Sequence, residues 1–240
     1  MPREDDAGTG DARWRERALE RSLRTARDRA VSRSDRFMAA ATELMLETDR
    51  TEFTVQEIVE RSKMSLRSFY QHFASKDELL LALLEEGIRG AIDRLRVQVA
   101  RHDDPVERLR TFITGLARLT DGTAVPANST TNRAFTVYHL RLAESHPTEF
   151  SHAIAPQVDL LLEILDAGVA TGQFRTDVPT AQLATIVTQA LVSSMQMNVL
   201  GVTVAGARVT GNELFDFCLG GVSPAASVQT VAKRRAAGGA

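Results

Sequence analysis

The stretch TVQEIVERSKMSLRSFYQHFASKDE, residues 54–78, decides how this chain folds. Thr54 stands three residues before Glu57, the spacing of a capping box, so a short helix starts there. Val55, Ile58 and Val59 give that helix one apolar face. After Arg61-Ser62-Lys63 a second short helix opens at Ser65 and ends near Phe73. Ser75 and Glu78 repeat the capping-box spacing and start a long helix, which carries Leu79, Leu80, Leu83, Leu84, Ile88, Ile92 and Leu95. Two short helices joined by a tight turn make a helix-turn-helix, whose second helix enters the major groove of DNA.

Helical spacing sorts the second helix. Phe69 and Phe73 are four apart and share the inward face. Arg67, Ser68 and Tyr70 are left for the outer faces. Arg67 has the donor fork that matches guanine O6 and N7, while Ser68 and Tyr70 can donate to phosphates or base edges. Lys76 opens the next helix, where the side chain and the helix dipole both favour a phosphate. From Arg61 to Lys76 the charged residues are Arg61, Lys63, Arg67 and Lys76, with no Asp or Glu, whereas residues 37–60 are acidic. The whole chain has 29 Lys and Arg against 31 Asp and Glu, a net charge of −2. That balance argues against nonspecific coating of nucleic acid and makes a local acid-free surface the informative feature.

Working outward, residues 34–47 form a helix that buries Phe37, Ala40, Ala41 and Leu44. An Arg-rich helix is expected over 11–30, with Leu19, Leu23, Ala26 and Ala30 on one stripe. Such a charge run is more often a solvated face than a DNA contact. Past His102-Asp103-Asp104-Pro105 helical patterns recur at about 105–120, 131–145, 148–171, 179–200 and 211–219, and no useful length of chain alternates as a strand does. Hydrophobic residues make up 43% and aromatics only 5%, so the core is mainly aliphatic. The expected fold is all-α. Its parts are an extension at 1–33, a three-helix DNA-binding domain at 34–80, a ligand-binding and dimerisation domain at 81–222, and a tail at 223–240.

Thr54-Val55-Gln56-Glu57-Ile58-Val59, Met64 to Phe73 and Ser75-Lys76-Asp77-Glu78-Leu79 together resemble the N-terminal domain of the TetR family of transcriptional regulators. The resemblance covers roughly residues 34–80. Its specific part is the Phe-Tyr-x-His-Phe run at a fixed distance from Ser-Lys-Asp-Glu-Leu. The alternative for this stretch, an ordinary helical hairpin, does not account for the whole pattern. The expected DNA-contacting set is Thr54, Ser65, Leu66, Arg67, Ser68, Tyr70, His72 and Lys76. Many relatives have a small residue where this chain has Arg67, so the operator sequence does not carry over by analogy.

The resemblance implies a homodimer made by the last two helices, a regulatory ligand pocket and double-stranded operator DNA as partner. The sequence agrees with the dimer. Leu183, Ile186, Val187, Leu191, Val192, Met195 and Val199, with Leu214, Phe215, Phe217 and Leu219, are apolar on more than one helical face and need cover on more than one. Candidates for the pocket are Asn132, Phe135, Tyr138, His139, Arg141, Leu142 and Gln196. Each has a plainer reading: Tyr138 as a core residue, Arg141 as a partner of Glu144 or Glu149. The expected effector is a small hydrophobic molecule, lipid-like or otherwise apolar, that releases the protein, a repressor, from its operator; activation is the alternative.

An enzyme reading finds no support. There is no nucleophile elbow, phosphate loop or metal-binding helix motif, and His139, His146 and His152 lack metal-ligand spacing. No cofactor or metal is expected. Cys218 is the one cysteine, which argues against a disulfide framework. No signal peptide and no apolar run long enough to cross a membrane are expected, which places the protein in the cytoplasm. The competing class is a dimeric small-molecule binder whose DNA domain is vestigial. Direct DNA binding separates the two.

Overall fold

A computed structural model describes residues 31–47, 53–119, 130–203 and 205–224. Within these, the chain is helical with no strand: α1 (31–47), α2 (Val55–Ser62), α3 (Leu66–Tyr70), α4 (Lys76–Val99), α5 (Pro105–Ala117), α6 (Thr130–Ser145), α7 (Pro147–Ala170), α8 (Thr180–Leu200) and α9 (Gly211–Val222). The Arg-rich stretch at 11–30 and the tail beyond Pro224 lie outside the described residues. The chain divides into two compact units between Leu80 and Leu81, and α4 belongs to both.

The first unit is built on aromatic side chains. Phe37 from α1 meets Phe69 edge-on at 5.4 Å and Phe73 at 6.4 Å, and Phe69 and Phe73 lie 5.8 Å apart. Ala40, Ala41, Leu44, Met45, Ile58 and Leu79 complete the core. The caps follow the expected chemistry with one difference. Thr54 and Glu57 form a full capping box. At the start of α4, Ser75 accepts the Glu78 N–H at 3.1 Å, but the Glu78 carboxylate reaches back to the Ala74 N–H rather than to that of Ser75. Val55, expected inside, is only half-buried.

In the second unit α5 packs on α7 and α9, α7 on α6 and α8, and α8 on α6 and α9. Leu109, Phe112, Ile113, Leu161, Leu165, Phe174, Leu191 and Phe215 form its fully enclosed centre. Gly168 is required there: a Cβ would lie 1.9 Å from the Phe174 ring. Asp104 caps α5 ahead of Pro105, and Thr210 with Glu213 forms a capping box on α9. Both devices satisfy amide groups that a helix start leaves open.

Helix α8 is the one helix among the described residues long and apolar enough, by length and composition alone, to cross a membrane, although polar residues interrupt its apolar ones throughout. Its polar residues are Thr, Gln, Ser and Asn, with no Asp, Glu, Lys or Arg anywhere along it. One face, through Leu183, Ala184, Val187 and Leu191, enters the core. Away from that face Ile186 is 57% exposed, with Met197 also in the open, and on α9 Phe217 is 74% exposed.

Candidate nucleic-acid interface and ligand cavity

The turn between α2 and α3 is made by Lys63. Its backbone is left-handed, at φ 55°, ψ 36°. The Lys63 N–H donates to the Glu60 carbonyl at 3.3 Å and the Met64 N–H to the Val59 carbonyl at 3.2 Å. This is the Schellman closure, for which glycine is the favoured residue. Ser65 then caps α3, its hydroxyl accepting the Ser68 N–H at 3.1 Å. Leu66, Arg67 and Tyr70 stand exposed on the outer side of this five-residue helix, while Phe69 is fully buried.

Four of the expected contact residues are engaged differently. Ser68 is turned inward at 9% exposure, and its buried Oγ has no hydrogen-bond partner among the described residues. His72 is half-buried, its Nδ1 2.8 Å from the Ser68 carbonyl and its ring 6.2 Å from that of Phe37. The Lys76 ammonium donates to the Phe53 carbonyl at 2.8 Å and lies 5.2 Å from the centre of the Phe53 ring. It therefore fastens α4 to the chain preceding α2. The Thr54 hydroxyl is used in its capping box.

The basic island is also smaller than its sequence. Arg61 turns to α1, pairing with Glu47 at 2.6 Å and Glu43 at 3.4 Å. The hydrogen bond to Glu47 raises the Arg61 pKa further and lowers that of Glu47. Two acids of the acidic segment are thereby paired with one cation of the basic stretch. The exposed cations around α3 are Lys63, Arg67 and Arg36 of α1, whose guanidinium reaches the Met64 sulfur at 3.9 Å. Sequence reasoning missed Arg36, which lies far from the motif in sequence.

The second unit contains a cavity of about 320 Å³. Leu83, Leu84, Gly87, Ile88, Ala91 and Ile92 of α4 form one wall. Leu116, Leu119, Phe150, Ile154, Val192 and Met195 add apolar surface, and the polar lining groups are His139 of α6, Gln157 of α7 and Gln196 of α8. Burial lowers the His139 pKa to about 4, so its ring is neutral near pH 7. Of the expected ligand residues, His139 and Gln196 line this cavity. Tyr138 and Leu142 are buried elsewhere in the packing, and Arg141 is exposed and outside the lining. The side chains of Asn132 and Phe135 lie outside the described residues. Gln157 and the α4 wall were not foreseen, because they meet His139 only in the folded chain.

These features define a class: an all-helical chain with an N-terminal helix-turn-helix and a C-terminal unit enclosing a mostly apolar cavity. Residues 37–83 match the bacterial regulatory proteins of the tetR family. Solved structures with a similar fold include the following. FadR from Bacillus subtilis, in complex with stearoyl-CoA, gives a TM-score of 0.63 at 14% identity, covering 78% of this chain and 98% of that one. Thermus thermophilus FadR, a TetR-family transcriptional repressor in complex with lauroyl-CoA, gives 0.60 at 21%, covering 78% and 91%. RolR in complex with resorcinol gives 0.61 at 20%, covering 83% and 92%. No curated protein matches the sequence. The N-terminal domain is thus the helix-turn-helix domain of the tetR family, and the chain has the fold of a TetR-family transcriptional regulator.

Proposed function

We propose that this protein is a ligand-responsive, sequence-specific DNA-binding regulator, a repressor that a small hydrophobic molecule releases from its operator. The observation that carries this reading is the outer side of α3. Arg67, Leu66 and Tyr70 stand exposed on it, Lys63 and Arg36 flank it, and Arg61 pairs with Glu43 and Glu47 of α1, offsetting one of their two charges. Arg67 reads a base, and Lys63 and Arg36 hold phosphates. A homodimer through α8 and α9 presents two such helices to successive major grooves. The apolar cavity is the effector site, in keeping with the resorcinol, a small uncharged molecule, held by the RolR structure. Helix α4 carries cavity-lining residues from Leu83 to Ile92 and begins at Lys76 in the DNA-binding unit. An effector that favours one setting of α4 weakens DNA binding by its differential affinity, typically about 1–3 kcal/mol, and operator DNA weakens the effector equally.

Selection of bound fragments from random DNA by the purified full chain tests the reading. A single enriched, inverted-repeat sequence is the expected result. Arg67→Ala should then lose about 1–3 kcal/mol on that sequence and much less on random DNA. Equal losses on both would remove base readout by Arg67.

Lys63→Gly separates stability from binding. Glycine relieves the left-handed backbone, so the melting temperature should hold or rise, a change of up to about 1 kcal/mol. Affinity for all DNA should fall and the salt slope flatten by about one unit, as one phosphate contact disappears. Unchanged affinity at low salt would show that Lys63 touches no phosphate.

A further inference from the structure

Helix α4 keeps a glycine, Gly87, in the middle of its 24 residues. Glycine in a helix interior costs roughly 0.5–1 kcal/mol relative to alanine. Two structural reasons commonly justify that cost, and neither holds. The left-handed glycines among the described residues are Gly172, Gly201 and Gly206, so Gly87 is not needed for its backbone. Nor does it admit a close neighbour. A Cβ at Gly115 would meet Leu95 at 2.6 Å, whereas a Cβ at Gly87 would have nothing within 4 Å. Gly87 is exposed and at the same time lines the cavity, so a side chain added there meets no protein atom and stands at the cavity's edge.

The rest of the lining limits what can occupy the space. No Asp, Glu, Lys or Arg is among the described residues around it, and its polar groups are one imidazole and two carboxamides, on three different helices. The imidazole of His139 is kept neutral by burial. A buried ion without a counter-charge is strongly disfavoured, whereas a hydroxyl or carbonyl can be met by such groups. The volume, about 320 Å³, sits at the small end of ligand pockets, which span roughly 300–1,000 Å³.

We propose that the ligand is a compact, uncharged apolar molecule bearing one polar group, and that Gly87 sets its size by leaving out a side chain where the ligand lies. This rests on the reading of the cavity as the effector site. The polar group faces the His139, Gln157 and Gln196 side of the cavity, and the apolar body lies along the α4 wall.

Fluorescence titration of the full chain with N-phenyl-naphthylamine, a neutral apolar probe, tests the proposal. The probe should bind the wild type. α-Naphthol should displace it, and α-naphthoate, of similar size but anionic at pH 7.5, should need about tenfold more or worse. Gly87→Ala should weaken the probe several-fold and Gly87→Leu should abolish its binding, while both variants melt at or above the wild-type temperature. The melting result separates a filled cavity from a damaged fold. Absence of probe binding to the wild type, naphthoate competing as well as naphthol, or undiminished binding by Gly87→Leu would each overturn the proposal. Probe binding that obeys this pattern but leaves DNA affinity unchanged upholds the cavity chemistry and removes the effector reading instead.

Discussion

The double substitution Ile186→Asp with Phe217→Asp is expected to give a folded monomer whose operator affinity falls by about 10²–10⁴-fold. Ile186 on α8 and Phe217 on α9 are among the most exposed large apolar side chains of the described residues, and the two helices pack on each other. Covering a side chain of this kind contributes about 1.5–3 kcal/mol, and a matching pair across a two-fold axis counts each residue twice. Aspartate reverses the sign, because its charge would have to leave water without a partner. Both positions already face solvent in the single chain, so the protomer's own core is spared. Sedimentation at micromolar concentration reports the oligomeric state, and a titration on full and half operators reports the loss. A monomeric variant that binds the full operator as tightly as the wild type would refute dimeric recognition. A variant that stays dimeric would move the interface elsewhere.

The other large effect belongs to Phe69→Ala, which should cost about 3–5 kcal/mol. The ring is fully buried and touches Phe37, Tyr70 and Phe73, so its loss empties the meeting point of α1 and α3. A small domain has little stability in reserve, roughly 0.05–0.15 kcal/mol per residue. The DNA-binding unit should therefore melt in a separate early transition and DNA binding should vanish. The second unit, whose core contains none of these rings, should keep its transition. Hydrogen exchange resolved by segment checks this. Uniform loss of protection in both units would mean that the chain unfolds as one body and that the division at Leu80 has no energetic counterpart.

The recognition motif was legible because its signals are local. Thr54 and Glu57 cap a helix wherever they fall at that spacing, and Phe69 and Phe73, four apart, are both buried although α3 ends at Tyr70, short of the expected end near Phe73. The misreadings share a different cause. In a helix as short as α3, periodicity sets Ser68 apart from Phe69 but cannot say how far α1 and α2 wrap around it. Arg61 counted towards the acid-free basic stretch because Glu43 and Glu47, its partners, belong to another helix. Lys76 is drawn off by a carbonyl, and no side-chain pattern marks a carbonyl. The cavity was least legible of all. Its walls come from α4, α5, α6, α7 and α8, and Gly87 contributes to them by having no side chain. The helix carrying His139 and the single residue Gln196 could be singled out as polar groups among apolar ones, but nothing in their spacing links them to Gln157.

Cys218 gives the folded chain a built-in clock. It is the one cysteine, it is buried in α9, and burial pushes its thiol pKa up. The thiolate, which is the reactive form, is therefore scarce, and reagents cannot reach it. A thiol-specific dye added in excess can modify the protein only when α9 opens, so the labelling rate counts openings rather than the oxidant level around it. Since α9 carries Phe217, slowing of that clock with rising protein concentration would time how often the two copies part.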